Sequence, residues 1–156
     1  MEFVCTIDGK CKGTVLFEEN EGSTLITVNM KGLKKNAKHG IHIHKSGDLR
    51  NGCKSLCQHF NPYNGDHGGL DDNRNNRHVG DLGNLQTDKN GNVINFKIKD
   101  KLIKLRGKHS ILGRSVIIHA DEDDLGRGDN KESLKTGNAG KRIGCGVIGY
   151  SQNCCD

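Results

Sequence analysis

Residues 3–9, FVCTIDG, carry the pattern that decides the fold. Alternate residues here are apolar, as in a β-strand with one buried face, and the Asp-Gly at its end is typical of a tight turn. The same period of two recurs in Ile26, Val28 and Met30, and in Ile94, Phe96 and Ile98. Turn residues lie at 8–9, 20–22 and 88–91. The pattern predicts an all-β fold of antiparallel strands rather than strands joined by crossover helices.

With 156 residues, the chain has the length of one domain, 1–156, with a single core. Its 22 glycines indicate that much of it is loop, and residues 153–156 are expected to fray. The net charge of +5 would permit attraction to nucleic acid. The basic residues are scattered, however, with no aromatic residues between them as stacking platforms, so nucleic acid is not an expected partner.

The first residues, MEFVCTID, have neither the basic start nor the apolar stretch of a signal peptide. No segment approaches the roughly 20 apolar residues that span a bilayer. We therefore expect a cytoplasmic protein without a membrane partner. The seven cysteines are an odd number, so at least one lacks an intrachain partner, and most are expected to be thiols in a reducing compartment.

Two long segments interrupt the strand pattern. Segment 46–77 is rich in Gly, Asn, Asp and His, and segment 120–141 is Gly-rich and charged. Ordered loops of this length usually carry function or are held by something other than an apolar core. Metal ligands in the first loop would hold it.

Six of the eight histidines, with Asp81, form a pattern that could hold two metal ions. His42 and His44 are two apart in a predicted strand, so both side chains would point to one side. His119 ends the apolar run 116–118 and could deliver a third imidazole from a second strand. Imidazole-rich sites with an open position suit copper.

The loop residues His59, His67, His78 and Asp81 supply three imidazoles and a carboxylate. This set suits a closed tetrahedral zinc site that orders the loop, and one imidazole could join the two sites. A lone histidine is more often a surface or hydrogen-bonded residue than a ligand. We interpret His39 and His109 in that way.

These residues give the chain a resemblance to the Cu/Zn superoxide dismutase family over nearly its whole length. The matching stretches, in order, are 40–44, 52–62, 67–69, 77–84 and 136–149. The resemblance implies an eight-stranded antiparallel Greek-key barrel, an Ig-like β-sandwich with two long functional loops.

The resemblance also implies one copper and one zinc per chain. Copper would be bound by His42, His44, His59 and His119, and zinc by His59, His67, His78 and Asp81. The ring of His59 would bridge the ions and take a proton when copper is reduced. The implied activity is dismutation of superoxide to oxygen and hydrogen peroxide by alternation of Cu(II) and Cu(I), with zinc holding the bridging ring and ordering the loop.

Several other residues match family positions. Asp123 matches a carboxylate that ties a copper ligand to a zinc ligand, here His42 to His67. Cys53 and Cys145 match an intrasubunit disulfide that anchors the metal-bearing loop to the barrel. No role follows for Cys11, Cys57, Cys154 or Cys155.

Arg142 matches a guanidinium beside the open copper position, where its fork of donors would hold anionic superoxide. Thr136 matches the residue that narrows the channel opposite it. Lys131-Glu132 lies where members often carry paired acids. We therefore expect stronger attraction of anions and a salt-sensitive rate.

The family implies a homodimer and a copper-delivery chaperone as partners. Ser46 lies where members usually place a larger apolar residue at the dimer contact. The segments 111–113 and 147–150 offer other apolar surface, so a homodimer remains the expectation.

Two other interpretations remain open from the sequence. A non-catalytic copper/zinc-binding or copper-delivery module could use the same scaffold, but it would be expected to lose copper ligands or to carry a metal-transfer domain. A secreted, disulfide-held structural protein fits poorly with an odd cysteine count and no leader. The intact ligand set and Arg142 favour the enzyme.

Overall fold

The computed structural model describes residues 1–154, and eight β-strands lie within them. The strands are β1 (Glu2–Gly9), β2 (Lys12–Asn20), β3 (Ser23–Lys31), β4 (Lys38–His44), β5 (Asp81–Gln86), β6 (Val93–Asp100), β7 (Ser115–His119) and β8 (Arg142–Tyr150). The helical elements are short: a 3-10 turn at Gly52–Ser55, helix α1 at Ser133–Thr136 and a 3-10 turn at Gln152–Cys154. Residues 155 and 156 of the predicted frayed tail lie outside the described residues.

The strands form one sheet in the order β5-β4-β7-β8-β1-β2-β3-β6, and every neighbouring pair is antiparallel. The outer strands β5 and β6 are in contact, so the sheet is a nearly closed barrel. The β3–β6 and β4–β7 pairings join strands that are three apart along the chain, which is the Greek-key connection. The predicted eight-stranded antiparallel fold is confirmed.

Two of the predicted turns form the expected hairpins. The first joins β1 to β2, with Ile7 opposite Gly13, and the second joins β2 to β3, with Asn20 opposite Ser23. The third, at 88–91, forms a turn whose Gly91 N–H donates to Asp88 O. It connects β5 to β6, which stand at opposite ends of the strand order, rather than two paired strands.

The apolar core fills the barrel. Its buried side chains include both faces predicted from the first strands: Phe3, Cys5, Ile7, Ile26, Val28 and Met30. Each fully buried large apolar side chain stabilises the fold by about 1.5–3 kcal/mol. A small second cluster of Leu56, Ile117 and Cys145 lies where the first long loop meets β7 and β8.

The prediction that Ile94 shares a buried face with Phe96 and Ile98 is wrong, because Ile94 is 70% exposed. Asn95 adopts a left-handed backbone with φ +49°, and the β3–β6 register shifts between Val28 and Met30. This bulge inserts a residue, so Val93 becomes the buried one, 3% exposed, and Ile94 turns outward.

The long segments predicted as loops, 46–77 and 120–141, contain no strand. Between β6 and β7, residues 101–114 form turns rather than a further strand. No helix among the described residues has the length and apolar character to cross a membrane.

Candidate metal centre

The first group of histidines lies on neighbouring strands of the barrel. His42 and His44 belong to β4, and His119 ends the adjacent β7. His59 pairs with His44 in an isolated bridge, which brings the start of the loop to the same place. One nitrogen from each of these four buried rings lies within 4.8 Å of the others.

Each of the three strand histidines uses one ring nitrogen in a hydrogen bond and leaves the other without a partner. The bonded nitrogens are His42 Nε2 with Asp123 Oδ2 (2.6 Å), His44 Nδ1 with Cys57 O (2.8 Å) and His119 Nδ1 with Gly140 O (3.0 Å). The unpartnered buried nitrogens are His42 Nδ1, His44 Nε2 and His119 Nε2. A buried polar atom without a partner costs about 1–3 kcal/mol. The convergence of three such atoms fits an imidazole-bound copper ion.

Burial keeps these strand histidines neutral. It lowers the pKa of His42 and of His44 well below the usual value, and it lowers the pKa of His119 to about 4. Neighbouring His59 adds to this effect at all three. A metal requires the neutral imidazole, so these rings need no deprotonation at neutral pH before they bind an ion.

The second group converges around one oxygen of Asp81. Its Oδ1 lies 3.0 Å from His59 Nδ1, 2.9 Å from His67 Nδ1 and 3.2 Å from His78 Nδ1. His59 Nδ1 and His78 Nδ1 are 3.1 Å apart. Tetrahedral zinc with bonds near 2.0 Å places its ligand atoms about 3.3 Å from one another. The donor set and these spacings fit zinc.

Carboxylates dominate the electrostatics of this second group. Burial acts to raise the pKa of Asp81, but hydrogen bonds with His59, His67 and His78 hold it well below the usual range. Burial acts to lower the pKa of His67, but hydrogen bonds with Asp123 and Asp81 raise it to about 9. In the metal-free protein the His67 ring is therefore charged at neutral pH, in contrast to the strand histidines.

Asp123 connects the two groups. Its Oδ2 lies 2.6 Å from His42 Nε2, and its Oδ1 lies 2.7 Å from His67 Nε2. The carboxylate is buried, and Asn84 fixes its backbone, because Asp123 N–H donates to Asn84 Oδ1 (2.7 Å) and Asn84 Nδ2 donates to Asp123 O (2.9 Å). The two histidine groups are thus held at a fixed spacing.

A cleft of about 830 Å³ opens over the histidines, and its lining includes His44, His59, His119, Thr136 and Arg142. Arg142 Nη1 donates to Cys53 O and Nη2 donates to Cys57 O, both at 2.7 Å. Thr136 lies on α1, where its hydroxyl donates to Glu132. The structure thus places both residues on the walls of one cleft.

The predicted disulfide between Cys53 and Cys145 is confirmed. It joins the loop that carries His59 to β8, three residues beyond Arg142. The disulfide therefore anchors the loop next to Arg142, whose guanidinium donates to the loop carbonyl oxygens of Cys53 and Cys57.

Comparison with known proteins agrees with this centre. The family model for copper/zinc superoxide dismutase matches residues 11–148. The chain belongs to the copper/zinc superoxide dismutase family. It is 55% identical to a Cu-Zn superoxide dismutase of Paramecium bursaria Chlorella virus 1, over 96% of this chain and 78% of that protein. It is 55% and 56% identical to those of Talaromyces marneffei and Claviceps purpurea, over 92% of this chain and 93% of each relative.

One residue of this superoxide dismutase centre that sequence reasoning missed is Arg77. Its side chain is buried, with Nη1 2.7 Å from Asp100 Oδ2 and Nε 3.1 Å from the carbonyl oxygen of His78. The pair fastens the loop segment before β5 to the end of β6. The sequence did show an arginine directly before the candidate ligand His78. It gave no sign of the partner of this arginine, because Asp100 is 23 residues away along the chain.

The two remaining histidines differ from each other. His39 is fully buried, and its Nδ1 lies 2.8 Å from the carbonyl oxygen of His119. It therefore contacts the backbone of a candidate copper ligand. His109 is half-buried, with its ring edge against Tyr63 at 5.4 Å between centroids.

Among the described cysteines, Cys57 stands apart. Its thiol is exposed and its backbone is left-handed, with φ +65°. Cys5 and Cys11 are buried thiols, and burial raises their pKa values to about 12 and about 11. These two behave as core side chains rather than nucleophiles.

Proposed function

We propose that the chain dismutes superoxide, using copper held by His42, His44, His59 and His119 and zinc held by His59, His67, His78 and Asp81. The observation that carries this proposal is the set of three unpartnered buried ring nitrogens, two of which, those of His44 and His119, belong to side chains that line the same cleft as Arg142. Family membership supports the same activity.

His42 also lies near the donor atoms of His59, His67 and Asp81. We assign it to copper because its Nε2 is bonded to Asp123, while its unpartnered Nδ1 joins the strand group. We assign His78 to zinc because its Nδ1 contacts both His59 Nδ1 and Asp81 Oδ1.

Bound copper would supply reversible one-electron chemistry, and bound zinc would fix the ring of His59. Arg142 would hold the anion with the N–H groups that the two loop carbonyls leave free. His59 would take up a proton at Nε2 and release it into the cleft. Over two half-reactions, two superoxide ions and two protons give one oxygen and one hydrogen peroxide.

Charge and shape support capture of a small anion. Arg142 and Lys135 both line the cleft, and the chain carries a net charge of +5. Thr136 lies across from Arg142 in this proposal and would limit the width of the entrance, which favours a diatomic anion over larger ones.

We also propose a homodimer, although less apolar surface is available than the sequence indicated. Ile111 and Ile148 are buried in the core, while Leu112 is 37% exposed. Ser46 uses its hydroxyl to accept the N–H of Asp48. Light scattering at micromolar concentration should give the mass of two chains, and a monomeric mass would exclude the dimer.

A cytoplasmic location and a copper-delivery protein complete the proposal. The thiols Cys5, Cys11 and Cys57 fit a reducing compartment. Fractionation of cells that express the full chain tests the location. Copper content in cells with and without a copper-delivery protein tests the source of the metal.

The decisive experiment compares dismutation by the purified protein, loaded with one copper and one zinc per chain, with that of a His119→Ala variant. Fast turnover that is lost in the variant would establish the activity and its copper site. Tight binding of both metals without turnover in the unmodified protein would support the non-catalytic metal-binding module instead.

A further inference from the structure

Two adjacent carboxylates, Asp123 and Asp124, face different parts of the molecule. Asp123 contacts the metal-site histidines His42 and His67. Asp124 contacts the segment 132–138, which we call the rim because it contributes several residues to the wall of the cleft, Thr136 among them. The metal ligands and channel residues described above leave Asp124 without a role.

Asp124 holds the rim near both of its ends. Oδ1 accepts the hydroxyl of Ser133, and Oδ2 accepts an N–H from the side chain of Asn138, both at 2.7 Å. Its third donor is the backbone N–H of Gly126, at 3.0 Å. All three donors are neutral groups, so the Asp124 carboxylate orients these donors and is not paired with a positive charge among them.

The two side chains that Asp124 holds are fixed in turn. Ser133 is fully buried, and its hydroxyl oxygen accepts the N–H of Gly128 at 2.8 Å. Asn138 has a left-handed backbone, φ +54°, and its side chain also donates to Asn130 at 3.0 Å. The rim therefore has a defined conformation that depends on polar contacts, since Leu134 is 45% exposed and adds little apolar burial.

The rim also rests directly on the metal site. Leu134 O accepts the N–H of His67 at 2.8 Å, and Gly137 O accepts the N–H of Asp124 at 2.9 Å. A Cβ at Gly137 would lie 2.0 Å from Asp123 Oδ1. Because the rim is this closely packed, a change at Asp124 would move it relative to the cleft.

We infer that Asp124 is a positioning residue for anion capture, which holds Thr136 and the rest of the rim opposite Arg142 through its bonds to Ser133 and Asn138. The inference rests on the proposed function, because the captured anion is taken to be superoxide. Asp124 itself does not touch the anion. Asp124 instead affects how wide and how well ordered the entrance of the cleft is.

The test uses three single variants and one double variant, Asp124→Asn/Ser133→Ala, of the copper- and zinc-loaded protein. Asp124→Asn keeps one acceptor oxygen and replaces the other with an N–H donor, so the two oxygens that Ser133 and Asn138 use are no longer both present. Ser133→Ala removes one of these donors without changing charge. Asp129→Asn is the matched control, since Asp129 is an exposed acid of the same loop and the substitution changes net charge equally. Each variant is assayed for kcat/KM, for the dissociation constant of azide as an anion probe, and for backbone amide exchange of residues 131–138.

In Asp124→Asn and Ser133→Ala, kcat/KM should fall and the azide dissociation constant should rise, each by about tenfold. Amide exchange of the rim should accelerate, while the copper electron paramagnetic resonance spectrum stays unchanged. The double variant Asp124→Asn/Ser133→Ala should lose little more than Asp124→Asn alone, because the bond between the two residues is already disturbed in that single variant. Asp129→Asn should leave azide binding and rim exchange as they are.

Equal effects of Asp124→Asn and Asp129→Asn would overturn the inference, because net charge alone would then explain them. Loss of zinc without faster rim exchange would also overturn it. If the unmodified protein fails to dismute superoxide, the proposed function fails, but azide binding and amide exchange still decide whether Asp124 positions the rim.

Discussion

The strand histidines and the loop histidines differ in how their buried rings are held and in whether the rings are charged. His42, His44 and His119 are held by the barrel, are kept neutral by burial, and leave a ring nitrogen each without a partner. His67, on the loop, is surrounded by carboxylate oxygens, and its pKa is raised to about 9. The strand group is thus arranged for a metal in advance, whereas the loop group has internal partners when no metal is bound.

This difference indicates which interactions fix the histidine positions in each region. A rigid strand can keep an unsatisfied nitrogen in place because the apolar core fixes the backbone. The loop buries only a few apolar side chains, among them Leu56 and Phe60, so hydrogen bonds to carboxylates also help to hold its histidines together. Removal of metal should therefore loosen the loop more than the barrel, and the following predictions test the connection between the two regions.

The largest effect is expected from Cys53→Ser/Cys145→Ser, which separates the loop from β8. The disulfide joins residues 92 apart, and loss of such a closure should lower the free energy of unfolding by about 4 kcal/mol. Denaturant unfolding of the metal-free protein measures this change. Cys57→Ser, at the exposed thiol, is the control and should change stability by no more than about 0.5 kcal/mol. Similar losses in both would contradict the anchoring role.

Asp123→Ala should remove the connection between the two histidine groups. It leaves His42 Nε2 and His67 Nε2 buried without partners, at an expected cost of about 3 kcal/mol in unfolding free energy. Zinc affinity should fall about 10- to 100-fold, as measured by competition with a chelator. Glu122→Ala, on the exposed neighbour, should leave zinc affinity unchanged, and an equal fall there would refute the assignment.

The two regions should respond to pH with opposite signs in the metal-free protein. Because the pKa of His119 is lowered to about 4, its contribution to stability is present above the usual value of 6.5 and is lost as pH falls toward 4. Because the pKa of His67 is raised to about 9, its contribution is present below pH 6.5 and is lost as pH rises through 9. Unfolding free energies from pH 4 to 10 should show both losses.

Two variants separate these pH effects. His119→Gln should reduce the loss of stability on the acidic side alone, and His67→Gln should reduce the loss on the basic side alone. If either substitution altered both sides equally, the two histidine groups would not titrate independently.

The smallest effect concerns charge near the rim. The dismutation rate should fall as ionic strength rises, and Lys131→Glu should lower it about twofold at low salt, with the difference disappearing at high salt. Lys99→Glu, on β6 rather than next to the rim, is the control with the same charge change. If the dismutation rate does not depend on ionic strength, the charge of Lys131 does not contribute to attraction of the anion.

The period of two was sufficient to predict the strands, because Phe3, Cys5 and Ile7 share a buried face whatever their partners are. It failed at Ile94, because the bulge at Asn95 depends on pairing with β3 rather than on local sequence. The histidine pattern with Asp81 indicated two groups of metal ligands, whereas the disulfide and the assignment of His59 to both groups came from the family resemblance. Contacts such as Arg77 with Asp100 and Asp124 with Ser133 were missed, because they join loops whose paths carry no periodic signal.

The carbonyl oxygen of Cys57 accepts both His44 Nδ1 at 2.8 Å and Arg142 Nη2 at 2.7 Å. A carbonyl oxygen has two lone pairs and can accept both N–H groups, so a shift of this one carbonyl would change both hydrogen bonds together. In the proposed function, this shared acceptor would make anion binding at Arg142 and metal binding at His44 linked equilibria. Linkage then requires that metal binding change the affinity for the anion by the same factor as anion binding changes the affinity for the metal.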